Sequence, residues 1–320
     1  MSKSIFLALG AGLLAVLFYA SVATGREETL FLSFFTQLPL FLAGLGLGYP
    51  AVVVAAIAGV AFCLLLVSVS YGVALVLALA FAFLHAGPVI LFVRQALLSR
   101  TDAEGNREWY PLGHLVAWVA GTGAAFFLVL FFVLAGGEQG IEAVVRGFLS
   151  EMLTSILQTP TPQAERLVEA IAPFFPAFAI GWWLFMVIAN GALAQGLLVR
   201  FGRNVRPSPD FAKMKLPDWL TYTTAGAALV LIAAEPGSVK FFSRNLVLIL
   251  CVPFFLLGLA VVHTMARTYV AYPRWVLIPF YFLFILFGGF AAAIVTGFGF
   301  VEQAIGIRRR LPVSVNAGEK

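Results

Sequence analysis

Ionised side chains are what this chain has least of. Asp, Glu, Lys and Arg make up 11% of 320 residues, where a soluble domain carries about a quarter. Between Thr29 and Val93 none occurs at all. At 1.5 Å per residue, that run of about 65 residues makes about 97 Å of helix, enough for three crossings of a hydrocarbon core about 30 Å thick. Other absences narrow the chemistry. Histidine occurs three times and cysteine twice. Neither Cys63 nor Cys251 stands in a metal-ligand or disulfide spacing, and each falls in an apolar segment as a small hydrophobe. HExxH, GxSxG and Walker-type loops are missing, so no catalytic residue, metal site or cofactor is expected. Carboxylates are almost absent from mid-span positions, which argues against a proton-driven pump or ion-coupled antiporter.

What is present is hydrophobic: 62% of residues are apolar and mean hydropathy is +1.00. The fold class is all-α, a polytopic helical membrane protein with eight to nine hydrophobic segments. The segments are Ile5–Ala23, Leu30–Gly48, Ala51–Val69, Gly72–Leu98, Pro111–Ala135, Phe174–Val199, Trp219–Ala234, Asn245–His263 and Val276–Phe300. The first has no small-residue cleavage site and is read as a retained helix, not a signal peptide. Pro88 removes a helix hydrogen bond, so a kink is expected near His85. Ser99–Tyr110 reads as a polar loop.

The stretch from Glu138 to Glu169 differs. Ile141, Val144, Val145, Phe148, Met152 and Ile156 recur at helical spacing, with Glu142, Arg146 and Glu151 on other faces. This is an amphipathic helix at the membrane surface or over the bundle mouth. The Thr159–Pro162 run breaks it, after which Thr161 caps and Pro162 begins a second short helix. A lid over a cavity and a passive interfacial helix are both compatible with this pattern.

The net charge of +5 sits in loops, where it sets orientation in the lipid bilayer; it is no nucleic-acid signal. If all nine segments cross, Lys and Arg divide almost evenly between the two faces. If Trp219–Ala234, about 16 residues long, fails to cross, 15 of the 20 lie on the N-terminal side and 5 on the other. That bias favours eight crossings with both termini cytoplasmic.

Candidate binding residues are the polar and aromatic groups at membrane depth: Gln37, His85, Trp182, Asn190 and Gln195. Interhelical hydrogen bonding or interfacial anchoring is the alternative for each. Asn190 and Gln195 lie five apart, about 140° round a straight helix, so they do not share one pocket centre. In the first segment Ala8 stands above Gly12 and Ala11 above Ala15, small residues that let another helix approach closely. Packing within this chain and docking of a separate subunit both use such a stripe. His85, His114 and His263 lie in different segments, leaving a lipid-modifying membrane enzyme as the third class of function.

Two stretches carry a resemblance. QLPLFLAGLGLGYPAVVVAAIAG, from Gln37 to Gly59, and GFGFVEQAIGIRRRLP, from Gly297 to Pro312, resemble a bacterial family of YybS-like predicted membrane proteins, classed as a domain of unknown function. That family is in turn distantly similar to the substrate-binding S-components of energy-coupling-factor transporters. The resemblance implies an inner-membrane protein in which residues 1–200 form a six-helix S-component-like core, with the interfacial region 138–169 on the outer face. Residues 201–320 add a basic cytoplasmic loop, further helices and a basic tail, and depart from the six-helix pattern. Ala11 and Ala15 would match the stripe that meets a transporter's coupling subunit. The function so implied is a non-catalytic subunit that binds a small molecule or lipid in an uptake or transfer system. A membrane scaffold partnering cell-envelope assembly proteins is the rival, with the basic loop Arg200–Lys215 as its contact.

Overall fold

The computed structural model describes residues 2–66, 71–135, 140–157 and 161–311. Val69, Glu138, Thr159, Pro160 and Pro312, which bound or fall within the stretches above, lie outside the described residues. The helices are α1 (Ser2–Ala20), α2 (Glu27–Ser33), α3 (Leu38–Leu47), α4 (Tyr49–Leu66), α5 (Tyr71–Phe81), α6 (Gly87–Ala96), α7 (Leu112–Ala135), α8 (Gly140–Leu157), α9 (Pro162–Ile171), α10 (Phe175–Arg200), α11 (Asp218–Ala233), α12 (Ser238–Tyr269) and α13 (Arg274–Ile305). An antiparallel hairpin, β1 (Ser99–Thr101) and β2 (Arg107–Trp109), replaces the expected polar loop. It closes because Asp102 Oδ1 accepts from the backbone of Glu104 and Asn106, while Gly105 takes the left-handed conformation (φ 86°).

The all-α polytopic architecture is as expected, with a small difference in count. Seven helices among the described residues are long and apolar enough to cross a bilayer, and α4 is an eighth, shorter apolar helix. The remaining segment forms α11, 16 residues or about 24 Å, shorter than the hydrocarbon core. The chain divides into two compact units, Met1–Val119 with Trp183–Pro209, and Ala120–Trp182 with Asp210–Lys320.

In the first unit α4 is central, touching α1, α3, α5 and α6. Its stripe of Ala51, Ala55 and Gly59 is buried, and the matching stripe on α1, Ala8, Gly12 and Ala15, is buried too. A Cβ on Gly12 would run into the Ala55 carbonyl, and one on Gly59 would stand 2.7 Å from the Phe81 ring. Lipid supplies no hydrophobic force between helices, so such backbone-to-backbone approach is what holds α1 to α4.

Two prolines interrupt this unit. Pro39, near the start of α3, separates it from α2 by a four-residue turn over Phe34–Gln37. Pro88, near the start of α6, is preceded by a π-helical turn over Ala82–Ala86, where Gly87 N–H reaches back to the Ala82 carbonyl. The kink expected near His85 therefore takes the form of a π-bulge.

In the second unit α8 and α9 form a cluster with the start of α12. Ile141, Val145 and Leu149 of α8 pack with Val168, Ala172 and Phe241. Val144, Phe148, Met152 and Ile156 remain exposed, so α8 has one face in the protein core and a second apolar face outside it. Thr161 caps α9 as expected, accepting from Ala164 N–H. The α12–α13 contact repeats the α1–α4 device: a Cβ on Gly258 would overlap the Val295 carbonyl, and one on Gly299 the Phe254 carbonyl. Phe254 and Phe300 stack beside it, ring centroids 4.0 Å apart. Gly288 (φ 45°) bends α13.

The far end of α13 is tied to the start of α11. Glu302 Oε1 accepts from Arg308 Nε at 3.0 Å in a buried ion pair, and Glu302 Oε2 accepts from Arg308 N–H. The same guanidinium donates to the carbonyls of Phe211, Ala212 and Met214. Three full crossings would leave Met214 and Arg308 on opposite faces, so at least one of α11, α12 and α13 does not cross fully. α11 is the shortest.

Candidate functional site

The first unit's polar residues converge on backbone carbonyls that the prolines leave open. A carbonyl in an α-helix is satisfied by the N–H four residues on; for Leu84 that residue is Pro88, which has none. Trp183 Nε1 donates to Leu84 O at 2.8 Å, and Gln37 Nε2 donates to the same oxygen at 3.3 Å. A similar repair is made at the other break. The Leu38 N–H that would serve Phe34 bonds to Phe35 instead, and Asn190 Nδ2 donates to Phe34 O at 2.8 Å while also holding Met186 O in its own helix.

Gln37, Asn190 and the residue next to Leu84, His85, are thus gathered around two broken helices. Gln37 and Asn190 are buried. His85 stands against Tyr19, edge to face with centroids 5.3 Å apart, and against Phe81 at 6.0 Å. Three buried side-chain atoms in this cluster, Gln37 Oε1, His85 Nδ1 and Asn190 Oδ1, have no hydrogen-bond partner among the described residues. An unpaired buried polar atom costs about 1–3 kcal/mol; Gln37 Oε1 and Asn190 Oδ1 each lack a donor, and His85 Nδ1 lacks a donor or an acceptor according to its tautomer.

The other expected residues fall elsewhere. Trp182 is 55% exposed; its neighbour Trp183 is the indole that reaches Leu84. Gln195 lies apart from Asn190, as their spacing requires, and donates to the Arg206 carbonyl at 2.8 Å. Ala8, Gly12 and Ala15 are covered by α4 of the same chain, and Ala11 is half-buried. A separate subunit would have to displace α4 or use another face.

Sequence reading also missed the polar residues that hold structure. Arg206 is 6% exposed, in contrast to Arg200, Arg203, Lys213 and Lys215 of the same basic loop, which are exposed. Its guanidinium donates to Ala96 O (2.8 Å) and Tyr110 O (3.2 Å), closing the C-terminus of α6 against the end of the hairpin. Burial pushes its pKa down from the ordinary value. Asn245 is wholly buried and caps α10, accepting from Ala177 N–H and donating to Pro173 O, both at 2.9 Å. The signal for such residues is a lone polar or cationic group beside a Pro-rich helix end. Composition gives that signal no partner.

The histidines have different surroundings. His85 is in the π-turn, His114 meets Tyr110 at the start of α7, and His263 Nε2 lies 2.8 Å from Tyr281 Oη between α12 and α13. No three His, Cys, Asp or Glu side chains among the described residues are grouped to hold a metal.

A family model described as "Predicted membrane protein (DUF2232)" matches residues 12–302. No curated protein and no solved structure matches the chain.

Proposed function

The chain belongs to the DUF2232 family of predicted membrane proteins, and from that premise we propose a non-catalytic membrane subunit that binds a small molecule or lipid for uptake or transfer. The observation that carries this reading is the pair of acceptors Gln37 Oε1 and Asn190 Oδ1, buried and without a donor among the described residues. Acceptors left open inside an apolar bundle are matched by a ligand that brings hydroxyl or amine donors. The aromatic side chains of Tyr19, Phe81 and Trp183 supply its apolar surroundings. The YybS-like and S-component likeness, a bacterial inner-membrane location and cytoplasmic termini belong to the same reading. Its partner would be a transporter's coupling subunit.

Native mass spectrometry of the protein, gently extracted from its own membrane, tests this. A retained small molecule or lipid that is lost in a Gln37→Leu, Asn190→Leu double variant, with helical circular dichroism unchanged, is the expected result. A bare chain, or a ligand held equally by the double variant, would count against it.

The scaffold reading has one observation of its own: Arg200, Arg203, Lys213 and Lys215 stand exposed on one loop. Reversing those four charges while keeping Arg206 would abolish recovery of an envelope-assembly partner if that reading holds. Unchanged partner recovery would remove it.

A further inference from the structure

A second polar site lies in the first unit, away from the Leu84 cluster. The hairpin and the first turn of α7 line a cavity of about 350 Å³, with Arg100, Glu108, Trp109, Tyr110, Pro111 and His114 on its walls. One apolar span ends at Ala96 and the next begins at Leu112, so the cavity lies where hydrocarbon gives way to lipid headgroups.

Its walls are held in place. Arg206 anchors Tyr110 through the backbone, and Trp118 Nε1 donates to Tyr110 Oη at 3.0 Å. Arg107 lies over the Trp109 ring, 4.4 Å from its centroid, and donates to Ser99 Oγ. The mouth carries both signs of charge: Arg100 Nε meets Glu108 Oε2 at 2.6 Å, the side chains 80% and 52% exposed. An ion pair so exposed contributes little, and a ligand bearing both charges can take its place. One further feature favours a phosphate: the positive end of the 24-residue α7, whose first turn brings His114 to the cavity wall. An ammonium group suits the Glu108 carboxylate, since the Trp109 ring is already met by the guanidinium groups of Arg107 and Arg206.

We propose that this cavity recognises a phosphate joined to a primary amine, the headgroup chemistry of an aminophospholipid. The phosphate is taken by Arg100 and the start of α7, and the amine by Glu108. The assignment does not depend on the Leu84 cluster binding anything.

Full-length protein in phospholipid-free detergent, titrated under native mass spectrometry, tests it with three probes: dihexanoyl phosphatidylethanolamine, dihexanoyl phosphatidylglycerol and O-phosphoethanolamine. One phosphatidylethanolamine per chain is expected, with phosphatidylglycerol weaker by about tenfold or more. Glu108→Gln should weaken the ethanolamine lipid by about tenfold and spare the glycerol lipid, whereas Arg100→Gln should weaken both. Both side chains are exposed, and circular dichroism of each variant checks that it folds. O-phosphoethanolamine binding as tightly as the lipid would support the chemistry and assign the ligand to solution; binding that needs acyl chains would support it and assign the ligand to the bilayer. Equal affinity for the two lipids, or no change in Glu108→Gln, would overturn the proposal.

Discussion

At the scale of single residues, the ionic side chains that matter most to the fold are those withdrawn from water. Glu302 and Arg308 are 7% and 8% exposed, and each completes the other's bonding. Removing one partner of such a pair leaves a buried charge and costs about 3–5 kcal/mol. Glu302→Ala should therefore lower the thermal midpoint of the purified protein sharply. Glu302→Gln, which keeps an acceptor for Arg308 and leaves its bonds to Phe211, Ala212 and Met214 in place, should lose less than Glu302→Ala; an equal loss would show that the pairing is not the source. Asp102 works at the other extreme of exposure. Hydrogen bonds from Asn106 and Glu104 hold its carboxyl below the ordinary value of 3.8. A carboxylate with a lowered folded pKa stabilises above its unfolded value and loses that contribution as pH falls through the folded one. Amide exchange in the hairpin should accordingly speed up below about pH 3.8, and Asp102→Ala should remove the dependence.

Among the elements, glycine and proline decide the contacts. Gly12→Val would force a side chain against the Ala55 carbonyl. Overpacking costs about 1–3 kcal/mol even where side chains can yield, and a backbone oxygen yields less. The variant should unfold at lower denaturant than wild type, while Gly10→Val, with nothing within 4 Å, should not. Pro88→Ala would restore an N–H opposite the Leu84 carbonyl, in competition with Gln37 and Trp183. Trp183 should then become more accessible to an aqueous quencher; unchanged quenching would mean that the bend is set by packing alone. Much at this scale was legible. Pro88 signalled the break, the TPTP run signalled the α9 cap, and alternating small residues signalled the close face on α1. The partner of that face was not legible, because Ala8, Gly12 and Ala15 say only that some helix approaches. Gly258 and Gly299 passed unnoticed for a related reason: each is a single glycine, and close approach needs no repeat. The donors at Leu84 came from residues 47 and 99 positions away. Such distances leave no periodic trace in a sequence.

For the whole molecule, hydropathy was enough to give the class and almost enough to give the helices, since lipid leaves the backbone few alternatives. The two compact units were beyond it. Each is assembled from two separate stretches of chain, and two of the three boundaries fall inside α7 and α10, where hydropathy does not change. Charge distribution singled out the short seventh segment, and the Glu302–Arg308 tie gives that asymmetry a structural counterpart. With Cys63 and Cys251 replaced, single cysteines at Lys213 and Arg310 should react with an impermeant maleimide from the same side of sealed vesicles. Labelling from opposite sides would contradict the tie between the two ends.

The carbonyls opened by Pro39 and Pro88 bear on how the chain is made. Phe34 leaves the ribosome well over a hundred residues before Asn190, the side chain that satisfies it, whereas Leu84 has Gln37 already made and gains Trp183 later. During that interval the break at Phe34 would lack its side-chain donor in the membrane, and an unmet backbone group in lipid costs several kcal/mol. The early helices of the first unit therefore complete their bonding only once α10 has been delivered, so the order of synthesis leaves the bundle open at Phe34 until then.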